Sequence, residues 1–312
     1  MQNVLVTGGA GFIGSHIVEE LIFQGINVTI FDNLSTGFIR NIQQFLDKKN
    51  VKFVKGDILD YDLLEEVLKD IDTVFHLAAK ISVAESMTNE VEYVKVNTIG
   101  TLNVLKAGVK NNLKNIVLSS SAAIYGDNPI IPKVETMLPE PKSPYAITKL
   151  DGEYYFKMFR EEYGINAVAL RYFNVFGARQ NPESQYAAAI PIFINKALKN
   201  EDIVIFGDGE QTRDFIYVKD IVKANIFAAK FGGDIFNVST GKSITINQLA
   251  EKIIRLTGSK SKIVHTDPRP GDVKHSRGDN TKIINELSFD KFCDFDEALI
   301  ITINYFKDLF DT

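Results

Sequence analysis

The sequence predicts a doubly wound α/β fold: a parallel-sheet Rossmann domain covered by helices on both faces, with a smaller mixed α/β substrate domain. Three observations carry this. Short apolar, β-branched runs alternate with longer amphipathic stretches, a glycine-rich turn follows the first run, and an aspartate closes the second. The runs fall at 4–6, 28–31, 52–54, 73–77, 116–119 and 167–172. Between them, Ile17, Leu21 and Ile22, then Leu64, Val67 and Leu68, then Leu102, Leu105 and Val109 recur at helical spacing. Strands alternating with helices imply crossover connections, and these imply parallel strands buried on both faces.

Past Gly177 the regularity loosens. A polar stretch at 178–185 precedes a helical run at 190–198 and the turn Gly207-Asp208-Gly209. Residues 214–227 read as strand then helix, and 235–238 as a further strand. The expected division is therefore a first domain of 1–175 with a return of 214–238, and a second of 176–213 and 239–312.

Composition narrows the function classes. The net charge is -5 over 312 residues and the basic residues are scattered, so no nucleic-acid partner is expected. One cysteine, Cys293, can form neither an intramolecular disulfide nor a thiolate metal cluster, and it reads as a structural thiol in a reducing compartment. No metal is expected. The apolar start lacks a basic n-region and no uncharged stretch reaches membrane-spanning length, so the expected location is the cytoplasm.

The turn is Thr7-Gly8-Gly9-Ala10-Gly11-Phe12-Ile13-Gly14. A pyrophosphate is held by backbone N–H groups at a helix N-terminus, and glycines permit the tight turn and the close backbone approach. Asp32, about 20 residues beyond the loop, can accept hydrogen bonds from both ribose hydroxyls of NAD and would repel the 2′-phosphate of NADP. The expected cofactor is NAD.

Tyr145 and Lys149 stand four apart where a helical stretch begins, so they share a helix face. An ammonium beside the phenol, together with a positively charged nicotinamide, is expected to bring the tyrosine down from its ordinary value of about 10 towards the range of a general base. The segment Ser119-Ser120-Ser121-Ala122-Ala123 follows an apolar strand, where hydroxyls lie beyond the carboxyl end of the sheet.

With its three-residue first glycine gap, the loop Thr7-Gly8-Gly9-Ala10-Gly11-Phe12-Ile13-Gly14 resembles that of the extended short-chain dehydrogenase/reductase family, and the chain as a whole is similar to the UDP-hexose 4-epimerases within it. The resemblance implies a catalytic triad of Ser121, Tyr145 and Lys149. On the cofactor side it implies Gly8, Gly11, Phe12, Ile13 and Gly14 at the phosphates, and Asp32, Asn33, Ser35, Thr36 and Gly37 around the adenosine. Asp57 and Ile58 fall at the adenine, and Leu77, Ala78, Ala79 and Lys80 along the phosphates. Asn97, Ser119, Tyr145, Lys149, Tyr172 and Val175 complete that set. For the substrate it implies Lys80, Ser82, Ser121, Tyr145, Asn174, Ala188, Ala189, Val204, Phe206 and Gln211. Arg213 and Arg269 would grip the diphosphate, Asp272 a ribose hydroxyl, and Ser276 would sit at the gate for the sugar's C2 substituent.

Family dehydratases and decarboxylases carry a carboxylate just after the triad hydroxyl, where this chain has Ala122 and Ala123. The implied reaction is thus 4-epimerisation of a UDP-hexose through a transient 4-keto sugar. A small residue at position 276, where strictly non-acetylated epimerases have a bulky tyrosine, leaves room for a 2-acetamido group. Ala188 replaces an asparagine of some UDP-galactose epimerases, so a backbone contact must serve there. Helices within 91–109 and 150–163 pair into a four-helix interface in similar enzymes, which implies a homodimer. The alternatives are another nucleotide-sugar reductase or decarboxylase of the family, or a catalytically silent NAD-binding regulator.

Overall fold

In the computed structural model, which describes residues 1–182, 188–268, 273–289 and 291–310, the first half of the chain alternates strands and helices. Strands β1 (Asn3–Thr7), β2 (Asn27–Asp32), β3 (Val51–Lys55), β4 (Thr73–His76), β5 (Asn115–Ser121) and β6 (Asn166–Tyr172) are separated by α1 (Phe12–Phe23), α2 (Tyr61–Val67), α3 (Val83–Ser86), α4 (Glu90–Tyr93), α5 (Gly100–Lys110) and α6 (Pro144–Tyr163). The second half holds β7 (Asn174–Phe176), α7 (Ala189–Leu198), β8 (Ile203–Phe206), β9 (Thr212–Arg213), β10 (Phe215–Tyr217) and α8 (Val218–Phe231). It closes with β11 (Ile235–Val238), β12 (Ile244–Thr245), α9 (Ile246–Thr257), β13 (Ile263–Thr266), α10 (Thr281–Leu287) and α11 (Phe295–Phe310).

Seven strands form one parallel sheet in the order β11-β6-β5-β4-β1-β2-β3. Because every strand runs the same way, the residues that end them (Thr7, Asp32, His76, Ser121, Tyr172) share one edge. The order reverses between β1 and β4, which is where a doubly wound sheet opens a ligand crevice. One face is covered by α1 and α8, whose Ile17, Leu21 and Ile221 pack with Val4, Val6 and Val168. The other is covered by α2, α5 and α6, whose Leu64, Leu105 and Phe156 pack with Leu5, Val74 and Leu118. Apolar residues on both pleat faces explain why these strands read as continuous runs rather than alternating ones.

A third core brings Ile190, Phe193 and Ile194 of α7 against Leu249 and Ile253 of α9 and Leu299 and Ile303 of α11. Around it lie three two-stranded pairings, β7 with β10, β12 with β9, and β8 with β13. Among the described residues, no helix is long and apolar enough to cross a membrane.

Helix α6 starts five residues before the stretch 149–163 expected from periodicity. Ser143 caps it, accepting from the Ala146 N–H at 3.2 Å, and Pro144 occupies the first turn. Tyr145 therefore stands in the first helical turn, at the mouth of the crevice. A second departure is a π-helical turn, Val94–Ile99, between α4 and α5.

Candidate active site

Helix α1 begins after Gly11, which provides no side-chain cap, and carries no acidic residue in its first turn. Its positive end therefore faces the crevice without a competing carboxylate. The loop is tight enough to require glycine. Gly8 has φ +68°, and a Cβ there would lie 2.8 Å from the Ala78 nitrogen; one on Gly14 would lie 2.2 Å from the Gly8 carbonyl oxygen. Thr7 ties β1 to β4, its hydroxyl lying 2.8 Å from His76 Nδ1 and accepting from the N–H groups of Leu77 and Ala78. The other His76 nitrogen meets Thr101, and burial drives this imidazole down to about 3, so it stays neutral. Phe12 and Ile13 pack partly into the third core, with Phe12 edge-on to His16.

Asp32 is buried at the end of β2. Its two oxygens accept from the Ala10 and Leu34 N–H groups, and burial raises its carboxyl. Leu34 is thereby held at φ 63°, a left-handed conformation that bulky side chains seldom adopt. A Cβ on Gly37 would come within 2.8 Å of Asp32 Oδ2, so only glycine fits beside the carboxylate. Each oxygen keeps a lone pair for a ribose hydroxyl. Exposed Asn33 donates to Asp57 at 2.9 Å and accepts from Ser35 N–H; Thr36 is exposed beside them. The Ile58 side chain is buried under Gly100 in the second core, which leaves only its backbone for a ligand. The unsatisfied helix end, the glycine cradle and the aspartate together fit a dinucleotide.

At the far side of the switch point, Ser121 stands beside the Tyr145 phenol, close enough to lower it. Ser121 ends β5 and accepts from the Ala123 N–H. Lys149 reaches the Ser119 carbonyl oxygen at 2.6 Å, with its Nζ 5.9 Å from the centre of the Tyr145 ring. Burial pulls Lys149 down to about 8. Burial also pushes the Tyr145 phenol up, and its neighbour Ser121 only partly opposes this. The ammonium points at a carbonyl rather than at the phenol oxygen, so the chain alone does not offset the phenolate's loss of solvent.

Lys80 pairs with Glu85 at 2.8 Å and lies 5.5 Å over the Tyr93 ring, which meets Tyr145 edge-on. Ser82 caps α3. Asn97, presented by the π-turn, accepts from the Lys80 N–H and donates to the Lys80 carbonyl and to Thr148, so its amide fastens the loop after β4 to α6. Ala79 is half-buried in that loop. Tyr172, in register with Ser121, is buried and hydrogen-bonded to Asn225.

Strand β7 leads directly into a cavity of about 580 Å³. Eight of the residues singled out in the sequence line it: Asn174, Val175, Ala188, Ala189, Val204, Phe206, Gln211 and Arg213. The pleat of β8 explains two of them. Ile203 and Ile205 are buried while Val204 and Phe206 turn outward to the cavity. Gln211 donates to the Phe206 carbonyl and Arg213 to that of Thr212, each holding its turn. Ser276 lies between two bridges, His275 with Thr212 and Gly278 with Lys133, and its N–H donates to Thr212. Arg269 and Asp272 lie outside the described residues. The sequence reading missed Phe173, Phe193, Lys196, Phe215 and Ile246 of the lining. Helical spacing from Ala189 would have supplied two of these, since Ala189, Ile192, Phe193 and Lys196 share a face.

The fold and this crevice define a nucleotide-binding enzyme of the extended dehydrogenase/reductase type, and residues 4–239 match the NAD dependent epimerase/dehydratase family. The chain belongs to that family. It is 36% identical over 312 residues to a UDP-glucose 4-epimerase of Mycolicibacterium smegmatis, covering 98% of this chain and 99% of the relative. Among solved structures, the UDP-N-acetylglucosamine 4-epimerase of Methanobrevibacter ruminantium M1, in complex with UDP-N-acetylmuramic acid, superposes with a TM-score of 0.94 at 47% identity, covering 99% of each chain. The UDP-glucose 4-epimerase of Thermotoga maritima, with UDP-glucose, superposes with a TM-score of 0.95 at 40% identity, covering 99% of this chain and 100% of the other.

Proposed function

We propose that the chain is a UDP-hexose 4-epimerase that uses NAD. The observation that carries this reading is Ser121 beside the Tyr145 phenol with Lys149 on the same helix face, followed by Ala122 and Ala123 rather than a carboxylate, in a fold that also holds a cavity of about 580 Å³. Bound NAD supplies the acceptor for the C4 hydride and returns it, so that no net oxidation occurs. Tyr145 takes the proton of the C4 hydroxyl as the 4-keto sugar forms, and gives it back when the turned sugar is reduced on its other face. Ser121 holds the C4 oxygen and relays that proton. Lys149 keeps positive charge near the phenol, whose burial otherwise disfavours the phenolate.

Phe206 and Val204 form a wall for the uracil ring, with Ala188 and Ala189 along it. Asn174, Gln211, Arg213, Arg269 and Asp272 hold the diphosphate and ribose. The cofactor roles named from the sequence are proposed with the same standing, and so is the division into a cofactor lobe of 1–175 with 214–238 and a UDP-sugar lobe of 176–213 and 239–312. The third core supports a separate second lobe. The acetylated pair UDP-GlcNAc and UDP-GalNAc is the proposed substrate, supported by the small Ser276 and by the 47% identity to an enzyme named for UDP-N-acetylglucosamine. A homodimer is proposed on the exposed stripes Met87, Val91 and Val94, and Ile147, Tyr154 and Met158, which follow helical spacing on neighbouring elements. The single cysteine supports a cytoplasmic setting.

The test is to incubate the protein with UDP-glucose and with UDP-GlcNAc and follow the sugar protons by NMR. Formation of the C4 epimer of UDP-GlcNAc is expected, and Ser276→Tyr should abolish it while sparing UDP-glucose. Absence of epimer from either sugar would reject the reading.

A further inference from the structure

Helix α6 carries a third buried polar residue on the face that bears Tyr145 and Lys149. Glu153 follows them at the i+8 and i+4 positions, and all three are nearly sealed from solvent. Its carboxylate is shared between two strands. Oε1 accepts from the Ser120 hydroxyl at 2.5 Å and from Arg171 Nε at 2.9 Å, and Oε2 accepts from Arg171 Nη2 at 2.7 Å. Ser120 and Arg171 are register partners across β5 and β6. Ser120 also lies between Ser119, whose carbonyl receives Lys149, and Ser121, the triad serine beside the Tyr145 phenol.

We infer that Glu153 is a positioning residue for the proton transfer, fixing the height of α6 over the ends of β5 and β6 so that Tyr145 and Lys149 meet Ser121 and Ser119. Apolar packing alone would let a helix adjust along a sheet by fractions of an ångström, because dispersion contacts are non-directional. A carboxylate held by a two-pronged guanidinium and a hydroxyl is directional and does not permit that slide. Stability is a poor explanation for such a group, since desolvating two charges cancels most of what the pair returns. Arg171 extends the clamp by donating to the Tyr125 hydroxyl, which donates to Asn237. Asn237 in turn donates to the carbonyl of Lys133, the residue bridged to Gly278 beside Ser276. The same buried network thus reaches from beneath the triad to the segment proposed to gate the sugar.

The inference rests on the proposed epimerase chemistry, and its test separates the two. Wild type, Ser120→Ala, Ser120→Thr and Glu153→Gln are compared for kcat, KM for the UDP-sugar and melting temperature. The titration of the Tyr145 phenol is read without turnover, as the ultraviolet difference between each protein and its Tyr145→Phe counterpart. In Ser120→Ala the ion pair survives, so melting should stay near wild type while kcat falls by about tenfold to a hundredfold with KM nearly unchanged. The phenol titration should move, and Ser120→Thr should recover most of the loss. Glu153→Gln should show the same pattern, larger and with lower melting; should it not fold, Ser120→Ala decides alone. Wild-type kcat and an unmoved phenol in Ser120→Ala would overturn the inference, as would an effect of Glu153→Gln confined to melting. A wild type that epimerises no UDP-sugar would sink the proposed function, and the phenol titration would still judge Glu153.

Discussion

Replacing Lys149 by methionine should make the nucleotide-free protein more stable while damaging its function. Burial moves this lysine from 10.5 to about 8, which corresponds to about 3 kcal/mol spent on keeping the ammonium charged at pH 7. Methionine fills a similar volume without charge. It leaves the Ser119 carbonyl oxygen without the charged donor now at 2.6 Å, a loss of about 2 kcal/mol, so a net gain of about 1 kcal/mol remains. Because the folded-state value lies below that of the unfolded chain, the folded protein binds fewer protons between pH 8 and 10.5, and wild-type stability rises with pH across that window. The penalty is complete below pH 8, so the variant's advantage should be largest at pH 7 and should shrink towards pH 10.5. Urea unfolding of both proteins, freed of nucleotide, at pH 7 and pH 10 measures this. Added NAD should raise the variant's midpoint less than that of wild type, because a cationic contact is gone. A variant no more stable than wild type at pH 7, or equally advantaged at both pH values, would refute the assignment of the strain to the buried charge.

Tyr145→Phe should retain binding of UDP and NAD, seen by calorimetry, and lose at least about a thousandfold in kcat, in the upper range of what a general acid–base group contributes; near-normal turnover would remove the tyrosine from the chemistry. Phe206→Ala takes an aromatic wall from the cavity and should weaken UDP binding by about 1–3 kcal/mol, the ordinary loss for a base that stacks on a ring. Equal UDP affinity in the two proteins would place the base elsewhere. If the proposed face pairs two copies, Val91→Glu with Tyr154→Glu should lower the mass in sedimentation to that of one chain, and a wild-type mass unchanged by the two carboxylates would reject that face as the interface.

The sheet was legible because its central strands bury both faces and are punctuated by glycine or a helix, so runs such as 4–6 and 167–172 fall inside observed strands. Tyr145 and Lys149 were legible as a pair on one helix face, but the start of α6 was set by Ser143 and Pro144, a capping signal outside the apolar period. The raised phenol was not legible, since it depends on where the Lys149 ammonium points and how deeply the ring is buried. The roles of Glu153 and Arg171 were hidden for a related reason. One charge on a helix and another on a strand 18 residues later become partners only when the sheet register brings them together. The cavity was half legible: the resemblance to the family's segments implied Phe206, Gln211 and Arg213, whereas Phe215 looks like an ordinary core residue until β10 pairs with β7 beside the cavity.

The π-helical turn has a consequence for the surface as well as for Asn97. A wider turn inserts one residue into an otherwise continuous rod, and one residue is worth about 100° of rotation. Segments on either side are therefore out of phase. Ahead of the turn, the rod shows Val91 to the outside, and beyond it Val104 and Leu105 face the sheet. Deleting a single residue between 94 and 99 would close the turn as an ordinary α-helix, and Asn97 would lose the bulge that presents it to the loop after β4. The insertion works as a spacer, letting the rod on either side keep its own neighbours while its widest point reaches the loop beside the crevice.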